Sequence, residues 1–307
     1  MGRLSNLRVV DPVLSQLALG YSNLEYVGEL LMPTVEVQKE GGKIPKFGKE
    51  AFKIYNTERA LRAKSNRINP EGLAGIDVVL DEHDLEYPID YREEQESAFP
   101  LQSNATFVAT EGIDLRREKM IADLAQNPAN YAASNKIVLS GNSRFTDKAN
   151  SDPIGVIEAG KEAIRAKIGR YPNTMIIGAS SQSVLKNHPQ LLDRIKYSMK
   201  GIVTADLMRD IFEIENIAVG KAVYANDQDV FADLWQDNII LAYVPGKRAG
   251  QNRTPYEPAF GYTIRKNKPI VDTRTEDGKV EIVRCTNIFR PFIVGAEAGY
   301  LISDTNA

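Results

Sequence analysis

Two neighbouring segments of opposite charge dominate the N-terminal third of the chain and limit how it can fold. Residues 43–67 hold eight Lys and Arg side chains against two Glu, a net charge of +6, whereas residues 71–96 hold ten acidic side chains against one Arg, a net charge of −9. Within the acidic segment, apolar Leu85, Tyr87 and Ile89 alternate with polar and charged residues, a period typical of a β-strand. We therefore expect an extended excursion here rather than a closed core.

The charge segregation leaves two interpretations open for residues 34–90. The two segments could face each other in one hairpin, where opposite charges on paired strands are favourable. Alternatively, they could contact neighbouring subunits, since complementary charge across an interface sets register and partner choice. The second interpretation makes these charged side chains candidates for subunit contact: Lys43, Lys46, Lys49, Lys53, Arg59, Arg62, Lys64, Arg67, Asp81, Asp84, Glu86, Glu93 and Glu94.

Residues 1–33 form an apolar arm with too few apolar side chains to close a core of their own. Asp11 and Pro12 are typical of a helix start, Gly20 is typical of its end, and a second short helix is predicted over residues 24–31. Such an arm must pack on its own chain, on a neighbouring copy, or partly on both. The candidate contact residues on the arm are Leu14, Leu17, Leu24 and Val27.

Two helices are predicted in the middle of the chain. The first spans residues 106–126 and is ended by Asn127 and Pro128, because the residue before a proline disfavours helical geometry. The second begins with Asp152 as its cap and Pro153 at the first helical position, and a glycine at position 169 closes it.

The C-terminal half alternates between helical and extended patterns. Residues 152–255 are typical of one compact α/β lobe, in which Ser180 or Ser181 is predicted to cap a helix and Thr204 to cap another. Residues 260–303 are mostly extended, and we expect these strands to return to the long helix. The predicted fold class is α+β, with two lobes.

The composition argues against several classes of function. The 38 basic and 41 acidic side chains give a net charge of −3, which is not the field of a dedicated DNA-reading module. A lone cysteine, Cys285, excludes an intrachain disulfide framework. The N-terminus lacks an apolar signal core, and the longest dense apolar stretch, residues 239–244, falls far short of the roughly 20 residues of a membrane-spanning helix. A soluble protein without an export signal or membrane partner is expected.

Motifs for chemistry fail one after another. Residues 42–50 resemble a phosphate loop, but the spacing is one residue too long, Pro45 removes an N–H, and Glu50 replaces the hydroxyl that would hold magnesium. His83 lies among carboxylates, yet in a strand its neighbours at 82 and 84 point to the opposite face. The acidic residues around 227–233 lack the glycine and closing glutamate of a calcium loop.

Candidate nucleophiles and bases are equally isolated. Ser180 lacks the second glycine of a nucleophile elbow, and His188 precedes a proline at a helix junction, where a structural role is expected. Cys285 and the sole tryptophan, Trp235, are expected in the core. The sequence therefore predicts no catalytic, cofactor-binding or metal-binding residue, and no enzyme.

Three stretches carry a resemblance to a known family. They are DPVLSQLALGY at residues 11–21, GKIPKFGKEAF at residues 42–52, and LMRDIFEI at residues 207–214 leading into IAVG at 217–220. Together with the order of arm, charged excursion, long helix, α/β lobe and returning strands, they resemble major capsid proteins of tailed bacteriophages, which have the Hong Kong ninety-seven capsid fold. The resemblance covers essentially the whole chain.

The resemblance implies a role for each segment. Residues 1–33 would be the N-terminal arm, 34–90 the extended E-loop, 91–151 with 256–307 the peripheral domain containing the spine helix, and 152–255 the axial domain. Copies would assemble as hexamers and pentamers into an icosahedral shell around phage double-stranded DNA, bound without sequence specificity. Assembly in the host cytoplasm, a virion location, and a separate scaffolding protein, a portal and a possible decoration protein are implied as well. No position matches the covalent cross-link motif of some members.

Two alternatives from other classes stay open. An encapsulin-like nanocompartment shares the fold but would hold protein cargo, and the long arm favours a phage shell. A small-molecule enzyme of α/β class is disfavoured by the failed motifs. The contents of purified shells, or a bound cofactor, would discriminate among them.

Overall fold

The computed structural model describes residues 25–45, 54, 57–62, 64–67, 75–98, 100–195, 204–226, 228, 230–246 and 254–306. The helices are α1 Gly28–Leu31, α2 Tyr91–Glu96, α3 Leu101–Gln126, α4 Pro153–Ile168, α5 Ala179–Lys186, α6 Pro189–Ile195 and α7 Ala205–Phe212. The strands are β1 Thr34–Val37, β2 Gly41–Pro45, β3 Gly75–Val79, β4 Asp81–Asp90, β5 Lys136–Val138, β6 Thr174–Gly178, β7 Asn216–Gly220, β8 Val223–Ala225, β9 Phe231–Asp233, β10 Ile239–Ala242, β11 Gly261–Glu276, β12 Val280–Ile293 and β13 Gly299–Ser303. The α+β class is confirmed.

A four-stranded sheet in the order β1-β11-β12-β4 carries the long helix α3 on one face. β1 runs parallel to β11, and β11, β12 and β4 are antiparallel neighbours. Ala109 and Ile113 of α3 are buried with Cys285 and Phe289 of β12. The expectation that the C-terminal strands return to the long helix is confirmed.

The helix α3 begins earlier than predicted, at Leu101 rather than at residue 106. Leu101 and Ala105 are buried with Ile89 and Val283, so the first turns pack on the sheet through one large and one small side chain. The polar residues 102–104 between them hide this face in the sequence pattern. The predicted end is confirmed, because α3 stops at Gln126 before the Asn127–Pro128 pair.

A five-stranded sheet in the order β5-β13-β10-β6-β7 forms the α/β lobe. β10 lies antiparallel to β13 and β6, whereas β5 and β7 run parallel to their neighbours. Strands β5 and β13 lie outside the 152–255 segment that the sequence divides off as this lobe. Pairing with strands far along the chain leaves no local signal in the sequence, so the lobe is completed by residues on both sides of that segment.

The caps of the α/β lobe follow the sequence with one exception. Asp152 accepts a hydrogen bond from the Gly155 N–H at 2.9 Å, and Gly169 ends α4 with φ of 67°, as predicted. Thr204 caps α7 as predicted. The predicted cap of α5 by Ser180 or Ser181 is wrong, because α5 begins at Ala179 directly after β6.

Ser181 is instead buried inside the lobe, where its hydroxyl is 2.7 Å from the Thr305 hydroxyl. Thr305 in turn donates to the Asp237 carbonyl at 2.7 Å. These contacts tie the C-terminal segment beyond β13 to the α/β lobe.

The two sheets share a core at the root of the arm. Leu31 and Met32, next to β1, are fully buried against Ile121 of α3, Trp235 and Phe260. The five-stranded sheet contributes further apolar side chains to the same cluster: Ile176, Ile240, Ala242 and Leu301. The last residues of the predicted arm therefore belong to the core of their own chain.

Candidate subunit-contact surfaces

The acidic segment is largely matched by basic side chains of its own chain. It forms strand β4, which pairs with β12. Glu86 forms an ion pair with Arg274 at 2.9 Å, and Asp81 with Arg290 at 3.6 Å. Asp84 is exposed and accepts a hydrogen bond from the Thr286 hydroxyl at 3.1 Å. The partners come from β11 and β12, which neither interpretation of the sequence anticipated.

The two charged segments do meet at one place, the small sheet formed by β2 and β3. These strands are antiparallel, and Lys43 lies 3.6 Å from Asp77 in an exposed ion pair. Exposed pairs of this kind contribute little to stability, about 0.2–1 kcal/mol. The hairpin interpretation therefore holds for the ends of the excursion, while the basic loop beyond β2 continues away from it.

The described part of the basic loop, residues 57–62 and 64–67, is exposed throughout. Arg59, Arg62, Lys64 and Arg67 all lie on this exposed stretch, and the apolar side chain of Leu61 is 90% exposed. Ile54, at an isolated described position before it, is fully exposed as well. The candidate residues Lys46, Lys49 and Lys53 lie outside the described residues.

Exposed apolar side chains on a charged loop are typical of a surface that another chain covers. The residues Leu61 and Ile54 therefore add to the charge pattern as an indication of contact with a partner.

The acidic candidates after β4 have different environments. Glu93 is almost buried, and its carboxylate accepts a hydrogen bond from the Asp90 N–H at 3.4 Å. Asp90 in turn accepts one from the Arg92 N–H at 2.9 Å, which completes a capping box at the start of α2. Glu94 points to the exposed surface. Glu93 thus has a clear role within the chain, whereas Glu94 is available at the surface.

The root of the arm is bound to α3 by a carboxylate that the sequence analysis missed. Glu118 is 2% exposed, and its carboxylate accepts hydrogen bonds from the N–H groups of Val27 at 3.0 Å and Gly28 at 2.9 Å. The indole N–H of Trp235 donates to the same carboxylate at 2.8 Å. One side chain thereby joins the arm root, α3 and the α/β lobe.

The position of Glu118 also explains why residue 28 is a glycine. A Cβ atom there would lie 2.6 Å from Glu118 Oε2 and 3.0 Å from Ile121 Cδ1, both closer than real contacts allow. Burial raises the pKa of the Glu118 carboxyl above its ordinary value of 4.5, against the opposing effect of the Trp235, Val27 and Gly28 N–H groups and of Arg117. The contact between arm root and α3 is therefore both close and electrostatically sensitive.

The other arm candidates divide between the described residues and the rest of the chain. Val27 is 5% exposed and packs in the shared core with Ile121 and Trp235, so its side chain is used within its own chain. Leu14, Leu17 and Leu24 lie outside the described residues. Next to the root, Lys221 lies 3.3 Å from Glu25 in an exposed ion pair.

The residues tested for chemistry have structural environments. His188 is fully buried, with Nε2 3.0 Å from the Ser151 hydroxyl, and burial lowers its pKa. His83 stacks on Phe289 with ring centroids 4.3 Å apart. Cys285 and Trp235 are both 1% exposed, which confirms their predicted core positions.

No group of three or more metal-binding side chains occurs in the described part of the chain. The residues Asp227 and Asp229, and positions 46–50 of the loop that resembles a phosphate loop, fall outside it. Within the same part, no helix combines the length and apolar character needed to cross a bilayer. The surface features with a distinctive pattern are thus the charged loop and the arm root.

Comparison with known proteins covers nearly the whole chain. The family described as phage major capsid protein E matches residues 17–305. The chain is 69% identical over 307 residues to a major capsid protein of Burkholderia phage BcepMu, with 100% of both chains covered.

Solved structures point in the same direction. A phage-related protein from Bordetella bronchiseptica RB50 has a TM-score of 0.76 and 34% identity, with 97% of this chain and 98% of that chain covered. The capsid structure of cyanophage P-SCSP1u has a TM-score of 0.56 at 9% identity, covering 92% of this chain and 89% of that chain, which shows a shared fold.

The family match discriminates between the alternatives left open by the sequence. It confirms the resemblance to phage capsid proteins and does not favour the encapsulin-like interpretation, although such shells share the fold. The role of the chain is that of a phage major capsid protein, a component of the virion. On the match of residues 17–305 and the full-length relative, the chain belongs to the phage major capsid protein E family.

Proposed function

We propose that copies of this chain assemble as hexamers and pentamers into an icosahedral shell that encloses phage double-stranded DNA. The observation that carries the proposal is the family match over residues 17–305. The net charge of −3 suits a container, since many phosphate contacts would hold the DNA against packaging and release. Repeated modest contacts between subunits supply the strength of the shell.

The arm and the basic loop are the proposed contacts with neighbouring copies. Leu61 and Ile54 expose apolar surface on or beside the loop, and the acidic strand β4 takes ion-pair partners from β11 and β12. The positive charge of residues 43–67 is thus offered to a second subunit. The proposed contact residues are Leu14, Leu17, Leu24, Lys43, Lys46, Lys49, Lys53, Arg59, Arg62, Lys64, Arg67 and Glu94, with Asp81, Asp84 and Glu86 contributing through their exposed faces.

The segment roles follow the same proposal. Residues 1–33 act as the arm with its root fixed in the chain's own core, residues 34–90 as the E-loop, and α3 as the spine of the peripheral domain. The α/β lobe around residues 152–255, completed by β5 and β13, acts as the axial domain. The chain acts without catalysis or a cofactor. A separate scaffolding protein, a portal and a decoration protein are the proposed partners, and assembly takes place in the host cytoplasm.

Electron microscopy of particles from phage-producing cells, combined with nuclease treatment, tests this function. We expect closed shells whose DNA resists nuclease until the particles are disrupted. Shells that contain protein cargo and no protected DNA would contradict the proposal and support a nanocompartment. A chain that stays monomeric under all conditions, with or without the other phage proteins, would contradict assembly itself.

A further inference from the structure

The outer half of β11 is a strand edge with no partner among the described residues. On one side, β11 pairs with β12 along nearly its full length. On the other side, β1 pairs only with residues Thr263 to Lys266 of β11. Residues 270–276 therefore present one row of backbone N–H and C=O groups that no described strand occupies.

This edge has the properties of a pairing surface rather than of a protected edge. Residues 270–276 are exposed except for the half-buried Asp272, and the apolar Ile270 and Val271 are 61% and 44% exposed. Proteins protect exposed edges with prolines, bulges or inward-pointing charges. Here the register shift of the strand comes before residue 270, so the segment beyond it is regular and free to pair.

The sequence of the edge is complementary to itself. If two copies pair antiparallel with Thr273 opposite Thr273, Asp272 of each copy lies opposite Arg274 of the other, and Val271 lies opposite Thr275. Opposite charges at facing positions favour such a pair, and like charges disfavour it. Centring the pair on Asp272 would place two aspartates face to face, and centring it on Arg274 would do the same with two arginines.

The side chains involved are already held on the sheet face by partners in their own chain. Asp272 receives two hydrogen bonds from Arg284, at 2.7 and 3.0 Å, and Arg274 lies 2.9 Å from Glu86. A carboxylate has about four acceptor sites and a guanidinium five N–H donors, so each group retains capacity for a second partner. The pairing side chains are thus ordered before contact.

We propose that residues 270–276 form an antiparallel, twofold-symmetric strand pair with the same segment of a second copy, centred on Thr273. The pairing joins the two four-stranded sheets into one continuous sheet across the interface. Because the same patch is used on both sides, the contact closes on itself and produces a defined dimer contact within a larger assembly. It is separate from the arm and the basic loop, and so goes beyond their proposed roles.

Disulfide trapping tests both the pairing and its register. In Thr273→Cys the two Cα atoms face each other about 4.5–5.5 Å apart, within the range of a disulfide. The matched control is Thr275→Cys, which is equally exposed but lies opposite Val271, leaving its copies roughly 13 Å apart. The native Cys285 is 1% exposed and adds little background.

After mild oxidation of assembled particles, we expect Thr273→Cys to form covalent dimers at least tenfold faster than Thr275→Cys on non-reducing denaturing gels. Equal rates for the two variants, or shells of normal yield without Thr273→Cys dimers, would overturn the proposal. The second result would leave the proposed shell function intact, because the particles would still have formed.

A charge exchange in the Thr273→Cys background provides an independent test. Asp272→Arg alone places arginines opposite one another, and Arg274→Asp alone does the same with aspartates, so each should reduce dimer yield at least fivefold. Mixing the two variants restores opposite charges across the contact, and differently tagged copies should then form mixed dimers at the parental rate. Mixing does not repair lost contacts within a chain, so failure of the mixture to recover would count against the pairing.

Discussion

Glu118 shows how one buried carboxylate can join three parts of the chain. Its partners are N–H groups from the arm root and from Trp235, which favour the ionised form, while burial favours the neutral form. Burial is the larger influence, and the pKa is raised. The native state therefore holds its proton to higher pH than the unfolded chain, and this difference links stability to pH.

We predict that Glu118→Gln changes the pH dependence of stability. For the native chain, the free energy of unfolding should fall as pH rises from about 4.5 through the raised pKa of Glu118, and level off above it. Glutamine does not titrate, so this contribution disappears in the variant. Urea unfolding of unassembled subunits at a series of pH values measures the difference between the two proteins. Asp123→Asn, on the exposed side of the same helix, is the control and should keep the native dependence.

We predict that Gly28→Ala destabilises the subunit by about 1–3 kcal/mol, the range for overpacking a tight core. The added methyl group would lie 2.6 Å from Glu118 Oε2 and 3.0 Å from Ile121 Cδ1. The matched control is Gly42→Ala, since a Cβ at residue 42 meets nothing within 4 Å. Thermal or urea unfolding compares the two variants. Equal stability of the two would show that the arm root is not tightly packed on α3.

At the scale of elements, local signals predicted those parts of the fold that local contacts determine. Helix α4 was predicted from Asp152, Pro153 and Gly169 because its start and its end are both made by residues next to it. The cap of α5 was mispredicted because Ser181 pairs with Thr305, at the other end of the chain. Glu118 was missed for the same reason, since charged neighbours in the sequence make it look exposed.

We predict that Ala109→Leu in α3 costs about 1–3 kcal/mol of stability, because the larger side chain must separate α3 from the sheet or strain its rotamer. Ala109 is 3% exposed and packs with Cys285 and Phe289. Val108→Leu, at the adjacent and partly exposed position, is the control and should change stability by less than about 0.5 kcal/mol. Chemical unfolding of both variants measures the effect, and similar losses would argue against close packing of α3 on β12.

At the scale of the whole molecule, the arm has two parts with different roles. Leu31 and Met32 are fully buried in the chain's own core, which corrects the simple picture of an arm through residue 33. We predict that removing residues 1–24 leaves a folded subunit that fails to form closed shells. Removing residues 1–31 also takes away Val27, Leu31 and the N–H partners of Glu118, and should lower the thermal unfolding midpoint sharply.

Circular dichroism for folding and sedimentation for assembly distinguish the two truncations. Loss of fold in the shorter truncation would place residues 1–24 in the chain's own core. Normal shells without residues 1–24 would instead exclude the arm from assembly. Either result is opposed to the prediction, and the two are told apart by the same pair of measurements.

We predict that Arg59→Glu combined with Arg62→Glu weakens assembly much more than folding. Both residues lie on the exposed loop, and exposed ion pairs contribute only about 0.2–1 kcal/mol each, so the subunit should lose little. A shell repeats the same contact at every equivalent interface, and the small loss is multiplied accordingly. High salt should act in the same direction, because the screening length falls to about 3 Å at 1 M.

The control for this charge reversal is Lys186→Glu combined with Arg194→Glu, which changes the net charge equally on an exposed part of the α/β lobe. Shell yield by sedimentation and the thermal midpoint of the subunit are measured for both variants at low and high salt. A loop variant that assembles normally while its midpoint drops sharply would place the charge pairing inside one subunit. Equal assembly defects in both variants would mean that total charge, rather than the loop, controls shell formation.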